Sequence, residues 1–247
     1  MIRMRHRGLR DSDAFLASYP RSGSTWLRFL LYEALTLVSA EFGSMKQAVP
    51  SVGKQDGARP VLPGGGRVVQ THERYLDRER RVVYVVRDPR SVVVSEYSWQ
   101  RRLGIEGRPF EAFFDDFLRG RSNPWGGWDQ HVRFWLGGPC ARAGKLHLVH
   151  FEDMRADTEA VFSAALGFLG SPADASVVHR AVENNSLQRM REKEDAARAR
   201  GWRSRARSDL RFVNTGSVGG WRNALSEDQA RALEERFAAE LGLAGYR

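Results

Sequence analysis

The sequence predicts a single α/β domain, with a central parallel sheet flanked by helices and a P-loop-like nucleotide-binding core. Three observations lead there. Four short apolar runs, residues 14–19, 67–70, 82–86 and 146–151, have the length of buried strands. Segments of helical periodicity lie between and after them, and such alternation indicates parallel strands covered on both faces. The first run leads through a short polar turn, Pro20 to Thr25, into a long apolar stretch of helical composition. Strand, tight turn and helix start bring unpaired backbone amides together, and the helix dipole favours an anion there.

Composition narrows the function classes. The 247 residues are enough for one well-buried domain, 42% hydrophobic and 28% charged, without requiring a second. Residues 1–247 therefore read as one domain, with 43–66 and 192–213 as mobile loops. The single cysteine, Cys140, excludes an intrachain disulfide and a cysteine-rich metal site, and no metal is expected. The longest apolar run, residues 27–38, is interrupted by Arg28 and Glu33 and falls short of the ~20 residues that span a bilayer. The basic N-terminus has no apolar segment behind it, so the expectation is a cytoplasmic protein with no membrane partner. Only Lys46, Lys54, Lys145 and Lys193 are lysines, so arginine supplies most of the formal charge of +9. That field attracts multiply charged nucleotides, nucleic acid and membrane surfaces alike. No aromatic-basic repeat or zinc-finger spacing accompanies it, and no nucleic-acid partner is expected.

Residues 43–66 carry Pro50, Gly53, Gly57, Pro60, Pro63 and three glycines from Gly64 to Gly66, and read as a loop with little packing capacity. Residues 110–118 form a short amphipathic helix. Trp125, Trp128, His131, Val132 and Trp135 recur at spacings of three and four, as on an aromatic helix face. Core packing is the leading reading for them, and lining an acceptor pocket is the alternative. Residues 159–169 and 173–183 read as two helices separated by Gly170-Ser171-Pro172. The highly charged residues 192–211 read as a segment that closes over an anionic ligand. Ser226 and Gln229 make a capping box for a last helix, with Glu227 and Asp228 in its first turn and Leu225, Leu233, Phe237 and Leu241 as its apolar stripe.

Ligands of parallel sheets bind beyond the carboxyl ends of the strands. Arg21 to Thr25, Thr71-His72 and Arg87-Asp88 occupy those places. The turn is not the nucleoside-triphosphate motif, which needs G-x-x-x-x-G-K-[ST]. It has one glycine, Gly23, its cation comes early, and Trp26 follows the hydroxyl pair. An ATP-driven phosphotransferase is disfavoured.

Tyr19-Pro20-Arg21-Ser22-Gly23-Ser24-Thr25-Trp26 resembles the 5′-phosphosulfate loop, Y-P-K-S-G-T-T-W, of the cytosolic-type PAPS-dependent sulfotransferases. Two further stretches match in order. Residues 82–90, continuing to Ser95, are similar to that family's 3′-phosphate strand and helix. Residues 216–222 resemble its G-x-x-G-x-W-[KR] element. Weaker echoes lie at residues 151–154 and 185–190.

The resemblance implies a bacterial small-molecule branch of the family, with PAPS as co-substrate and 3′,5′-ADP as product. Arg21, Ser22, Gly23, Ser24 and Thr25 would hold the 5′-phosphosulfate, with Arg21 also stabilising the leaving charge. Trp26 would stack on adenine, and Arg87 and Ser95 would bind the 3′-phosphate. Phe151, Asn185 and Leu187 fall at adenine-pocket positions, and Asn214, Thr215 and Gly216 at the last motif. His72, in Gln70-Thr71-His72, matches the [KR]-[ST]-H segment whose histidine is the general base, and imidazole suits that work near neutral pH.

Departures from the family pattern are equally specific. Gln70 stands where a lysine is usual, and Asn214-Thr215 replaces an Arg-Lys pair, leaving Arg207, Arg211 or Arg222 to compensate. The usual dimer motif is not recognisable, so either a monomer or a homodimer fits. The short chain and the 43–66 loop suggest a less enclosed acceptor site, suited to a large or polar acceptor. The expected reaction is sulfuryl transfer to a hydroxyl of a small molecule, such as a secondary metabolite or glycosylated compound. The alternatives are a nucleotide or sugar kinase with a degenerate loop, and a non-catalytic basic nucleotide- or nucleic-acid-binding protein.

Overall fold

The computed structural model describes residues 5–74, 80–201, 213 and 217–246. Strands β1 (Ala14–Ser18), β2 (Val68–Thr71), β3 (Val82–Val86) and β4 (Leu146–His150) form one sheet in the order β2-β1-β3-β4. Every pairing is parallel, with Ala17 opposite Thr71 on one side of β1 and Ser18 opposite Val85 on the other. All five residues of β1 and all five of β3 are buried, as central strands covered on both faces require.

Side chains alternate between two cores, following the period of two of an extended chain. Leu16, Val83 and Val85 face helices α1 (Ser24–Thr36), α7 (Thr158–Phe168) and α8 (Ala175–Asn184), meeting Leu30, Phe162 and Val178. Phe15, Ala17, Tyr84 and Val86 face the other way, into Phe113, Trp128, Trp135 and Phe237. These come from α3 (Phe110–Leu118), α4 (Trp128–Leu136) and the C-terminal pair α10 (Glu227–Arg236) and α11 (Ala238–Leu243). The remaining helices are α2 (Pro89–Arg102), α5 (Pro139–Arg142), α6 (Phe151–Ala156) and α9 (Leu187–Ala199). Among the described residues, no helix is long and apolar enough to cross a membrane.

The sequence reading places each strand to within a residue or two, and α3 with the same limits. Three expectations need correction. Residues 43–66 pack well: Met45, Ala48, Val49, Val52 and Leu62 are buried. The Val52 amide donates to the Gln70 carbonyl and the Gln70 amide to the Pro50 carbonyl, each at 2.8 Å, so the segment lies against the exposed edge of β2 as a strand would. Residues 192–199 are not a loop but the continuation of α9. Ser186 caps that helix, and the buried Glu194 pairs with Arg198 one turn on. The last helix breaks at Phe237, whose φ of −113° leaves helical geometry, although its capping box forms as read from the sequence. Residues 202–212, the rest of that charged stretch, lie outside the described residues, as do Arg207 and Arg211.

One buried ion pair fixes the start of the sheet. Asp13 and Arg67, each 2% exposed, precede β1 and β2. Asp13 accepts from the Arg67 backbone amide at 2.8 Å and from its guanidinium at 2.7 and 3.1 Å. The remaining guanidinium hydrogens reach the carbonyls of Gln55 (2.7 Å) and Gly8 (2.6 Å), tying the 43–66 segment to the same point. Asp13→Ala leaves a buried cation without its partner, and unfolding in urea is expected to show a loss of about 3–5 kcal/mol.

Candidate active site

The turn between β1 and α1 is held in an unusual backbone conformation. Arg21 (φ 67°) and Gly23 (φ 96°) both adopt left-handed geometry. For arginine this carries strain on the order of 1–2 kcal/mol, which the surrounding structure must hold. Glycine is required at position 23 for a second reason: a Cβ there would lie 2.4 Å from a ring carbon of Phe151. That close approach brings α6 against the turn. The first amides of α1, Ser24 and Thr25, have no acceptor one turn back, as at any helix start.

The turn opens onto a cavity of about 680 Å³ that also receives the ends of β2, β3 and β4. Arg21, Gly23, Ser24, Thr25, Trp26, His72, Arg87, Ser95, Phe151, Asn185 and Leu187 all line it, so residues far apart in sequence converge as expected. Ser22 is fully buried behind the turn, and its Oγ has no partner among the described residues. Asn214, Thr215 and Gly216 lie outside the described residues.

Two arginines make the end of the cavity beside the turn cationic. The Arg21 Nε–H donates to Ser95 Oγ at 3.3 Å, and its guanidinium stacks on Trp99, 4.8 Å from the ring centroid. Burial, with the nearby charge of Arg87, lowers its pKa to about 10, which leaves it a full cation at neutral pH. Arg87 lies over Phe151 at 4.3 Å and donates to the carbonyls of Arg21 and Ser217, each at 3.2 Å. Its Nε–H is buried and has no acceptor among the described residues. A neutral carbonyl is a weak partner for a guanidinium, and an anion is a better one. Trp26 donates from its ring nitrogen to the Asn185 carbonyl at 2.9 Å, while Arg155 lies 5.5 Å from its ring.

The polar atoms of the Asn185 side chain are taken up by protein partners. Its amide donates to Glu33 (3.0 Å) and the Ala181 carbonyl (2.8 Å), and its oxygen accepts from Lys193 at 2.8 Å. Asn185 holds the wall together, because the buried carboxylate of Glu33 on α1 needs those donors.

His72 is the one histidine of six that lines the cavity. Its Nδ1 lies 2.7 Å from the Ser18 carbonyl, an acceptor only, so Nδ1 carries the proton and Nε2 the lone pair. The Gln70 side-chain amide donates to Nε2 at 3.2 Å while its oxygen accepts from Ser51 at 3.0 Å. Burial, with smaller contributions from the charges of Arg21 and Arg28, lowers the His72 pKa to about 4 despite the Ser18 bond.

Beyond His72 the cavity has a wall that the sequence reading only partly anticipated. Trp128 and Trp135 are core residues, but Trp125 lines the cavity, its ring 5.5 Å from that of His72. Trp99, Gln100, Leu103 and Ile105, from α2 and just after it, face it together with Ser122, Asn123 and the buried Glu96. A spacing signal existed: Ser95, Glu96, Trp99 and Gln100 fall on one helix face.

The chain matches the sulfotransferase domain family over residues 11–245. It is 24% identical to sulfotransferase 2A2 of Mus musculus over 94% of this chain and 85% of that protein. With sulfotransferase 2A1 of Rattus norvegicus it shares 25% identity over 94% of this chain and 86% of the other. Among solved structures, mouse sulfotransferase SULT7A1 complexed with PAP superposes with a TM-score of 0.75 at 21% identity, covering 99% of this chain and 92% of that one. Retinol dehydratase in a complex with retinol and PAP gives 0.76 at 19% identity, covering 96% and 83%.

Two outcomes follow from the site's geometry. Gly23→Ala is expected to abolish stabilisation by 3′,5′-ADP in a thermal melt, since the new Cβ must displace Phe151. Histidine-resolved NMR titration of the free protein is expected to show His72 protonating near pH 4, well below 6.5. Between those values the unfolded chain binds a proton that the folded site refuses, so His72 makes stability fall as pH drops from 6.5 toward 4.

Proposed function

This chain belongs to the sulfotransferase family, and we propose that it transfers the sulfuryl group of PAPS to a hydroxyl of a small-molecule acceptor, with His72 as general base. The observation that carries the reading is the convergence, on one cavity, of three things. They are the turn at the start of α1 with its unpaired amides, the Arg87 guanidinium with its unused buried N–H, and the His72 imidazole, whose Nε2 carries the lone pair.

The residues present suit the co-substrate. The amides of Ser24 and Thr25 with Arg21 would hold the 5′-phosphosulfate, and Arg87 with Ser95 the 3′-phosphate. Trp26 and Phe151 would flank the adenine. When bound, PAPS supplies the sulfuryl group, and 3′,5′-ADP is the leaving group.

The chain's own tasks are then to orient the acceptor, remove a proton and stabilise negative charge. The Ser18 carbonyl fixes the tautomer and leaves Nε2 as the acceptor nitrogen, where the Gln70 amide now donates. The acceptor hydroxyl would take the place of the Gln70 amide at Nε2 and give that nitrogen its proton, while the sulfuryl group it receives would part from the 5′-phosphate oxygen of the leaving 3′,5′-ADP. Arg21 and the first-turn amides of α1 are preorganised donors, for charge that gathers on the leaving phosphate. The low pKa of His72 keeps Nε2 unprotonated throughout the neutral range. The bound anions raise its basicity, since negative charge favours imidazolium.

Within this family the kinase and non-catalytic alternatives give way to sulfuryl transfer. A monomer or homodimer, in the cytoplasm, fits this reading.

His72→Ala is expected to lower kcat with labelled PAPS by about 10²–10⁴-fold. Binding of 3′,5′-ADP by calorimetry should stay within a few-fold of the parent; full activity in the variant would remove His72 from the mechanism. Arg87→Ala is expected to weaken 3′,5′-ADP on the order of ten- to a hundredfold, the scale of one charged hydrogen-bonding group. Adenosine 5′-phosphosulfate, which lacks the 3′-phosphate, should lose much less. Equal losses for both would contradict the assignment.

A further inference from the structure

Glu96 is a buried carboxylate of the cavity wall with one oxygen crowded by donors and the other without a partner among the described residues. It lies on α2, one residue after Ser95, is 2% exposed, and lines the cavity beside Trp99, Ser122, Asn123 and Trp125. Its Oε1 accepts from Asn123 Nδ2 at 2.8 Å, Gln100 Nε2 at 3.1 Å and Ser122 Oγ at 3.3 Å. Its Oε2 is buried and accepts nothing from the described residues. A carboxylate has about four acceptor positions shared between its two oxygens, so this distribution is lopsided.

The three donors come from the Gln100 side chain on the same helix and from the loop before α4. They fix the carboxyl group in one orientation. Asn123 Nδ2 also reaches the Tyr19 hydroxyl at 2.6 Å, so the arrangement is anchored to the turn after β1. Arg21 is close enough for its charge to act on Glu96, yet its Nε–H is given to Ser95 and its plane to Trp99. Burial raises the Glu96 pKa to about 7, in keeping with an incompletely solvated carboxylate.

We infer that the buried, unpartnered oxygen of Glu96 selects the acceptor, accepting a hydrogen bond from a second donor group carried by the molecule that is sulfated. The acceptor class is therefore a hydroxyl compound with an apolar or aromatic body and a further hydroxyl or ammonium group. Trp99, Leu103, Ile105 and Trp125 cover the body, and Glu96 takes the donor. A ligand without that group leaves the buried oxygen unpartnered, and sites built around a buried polar group discriminate strongly against such analogues. The inference rests on the cavity being a sulfuryl-acceptor pocket.

The test uses 4-ethylphenol, 4-(2-hydroxyethyl)phenol and tyramine as acceptors. They are close in size and end in methyl, hydroxyl and ammonium groups. Rates with labelled PAPS are compared for the parent protein and for Glu96→Gln. Glutamine keeps an oxygen for Asn123, Gln100 and Ser122 but presents an N–H where Oε2 was.

In the parent, kcat/KM for the better donor-bearing acceptor is expected to exceed that of 4-ethylphenol at least about tenfold, mainly through KM. Which of the two leads tells whether the site takes a neutral hydroxyl or a cation. In Glu96→Gln that preference is expected to fall to within about threefold, with an unchanged melting temperature. A purely structural role would lower all three rates together and leave their ratios alone, which would overturn the inference. So would the same preference in both proteins, or turnover of none of the three by the parent. Stabilisation by 3′,5′-ADP, measured alongside, separates the two readings: its loss in the parent defeats the proposed function itself, whereas its presence confines the failure to Glu96.

Discussion

The contact between Gly23 and the Phe151 ring sets the geometry on which the site depends. A turn that passes through two left-handed residues ends at a glycine where a Cβ would strike the Phe151 ring. Phe151 fills that space from the end of β4, two strands away from β1. The same ring carries the Arg87 guanidinium, which in turn reaches the Arg21 carbonyl. Glycine, ring, cation and carbonyl thus form a closed chain of contacts. It fixes the spacing between the amides of α1 and the cation beyond β3 before any ligand arrives.

The sheet explains why the other chemical groups stand where they do. With β1 between β2 and β3, the residues following its two neighbours, His72 and Arg87, flank the turn that follows β1 itself. The connection after β1 leads to one side and the next crosses to the other. The crevice therefore opens at β1, the place where parallel sheets of this kind bind ligands. The Ser18 carbonyl, last residue of β1, is also what sets the tautomer of His72. Strand order and proton position are linked through one backbone oxygen.

Much of this was legible in the residues themselves. Runs such as Ala-Phe-Leu-Ala-Ser and Val-Val-Tyr-Val-Val admit few readings other than buried strands. The polar turn after the first run carries its own signature in one glycine and three hydroxyls. What the sequence hid depends on contacts between distant segments. Asn185 looked like a ligand contact because motif letters do not say where a side chain points. Its direction is set by Glu33, more than 150 positions earlier, whose buried carboxylate takes its donors. Residues 43–66 looked like loose chain because proline and glycine signal turns. Pairing with the β2 edge outweighs that signal, and it shows only once the edge exists. Glu96 sits in a helix that reads correctly as a helix. Its significance comes from Asn123 and Ser122, which reach it from a separate loop.

The pairing of β1 has a consequence for how the protein comes to be active. Its partners begin at Val68 and Val82, and β3 waits in turn for β4, which begins at Leu146. None of these strands can pair with its sequence neighbour through a tight hairpin, so each closure joins segments separated by more than fifty residues. Such topologies fold slowly, because the entropy of closing long loops is lost before the strands reward it. Phe151 and the turn it braces meet only after the last of these closures. During synthesis, the braced turn is therefore acquired late, only once Phe151 has emerged, and the cavity it opens onto waits for residues as late as Trp221.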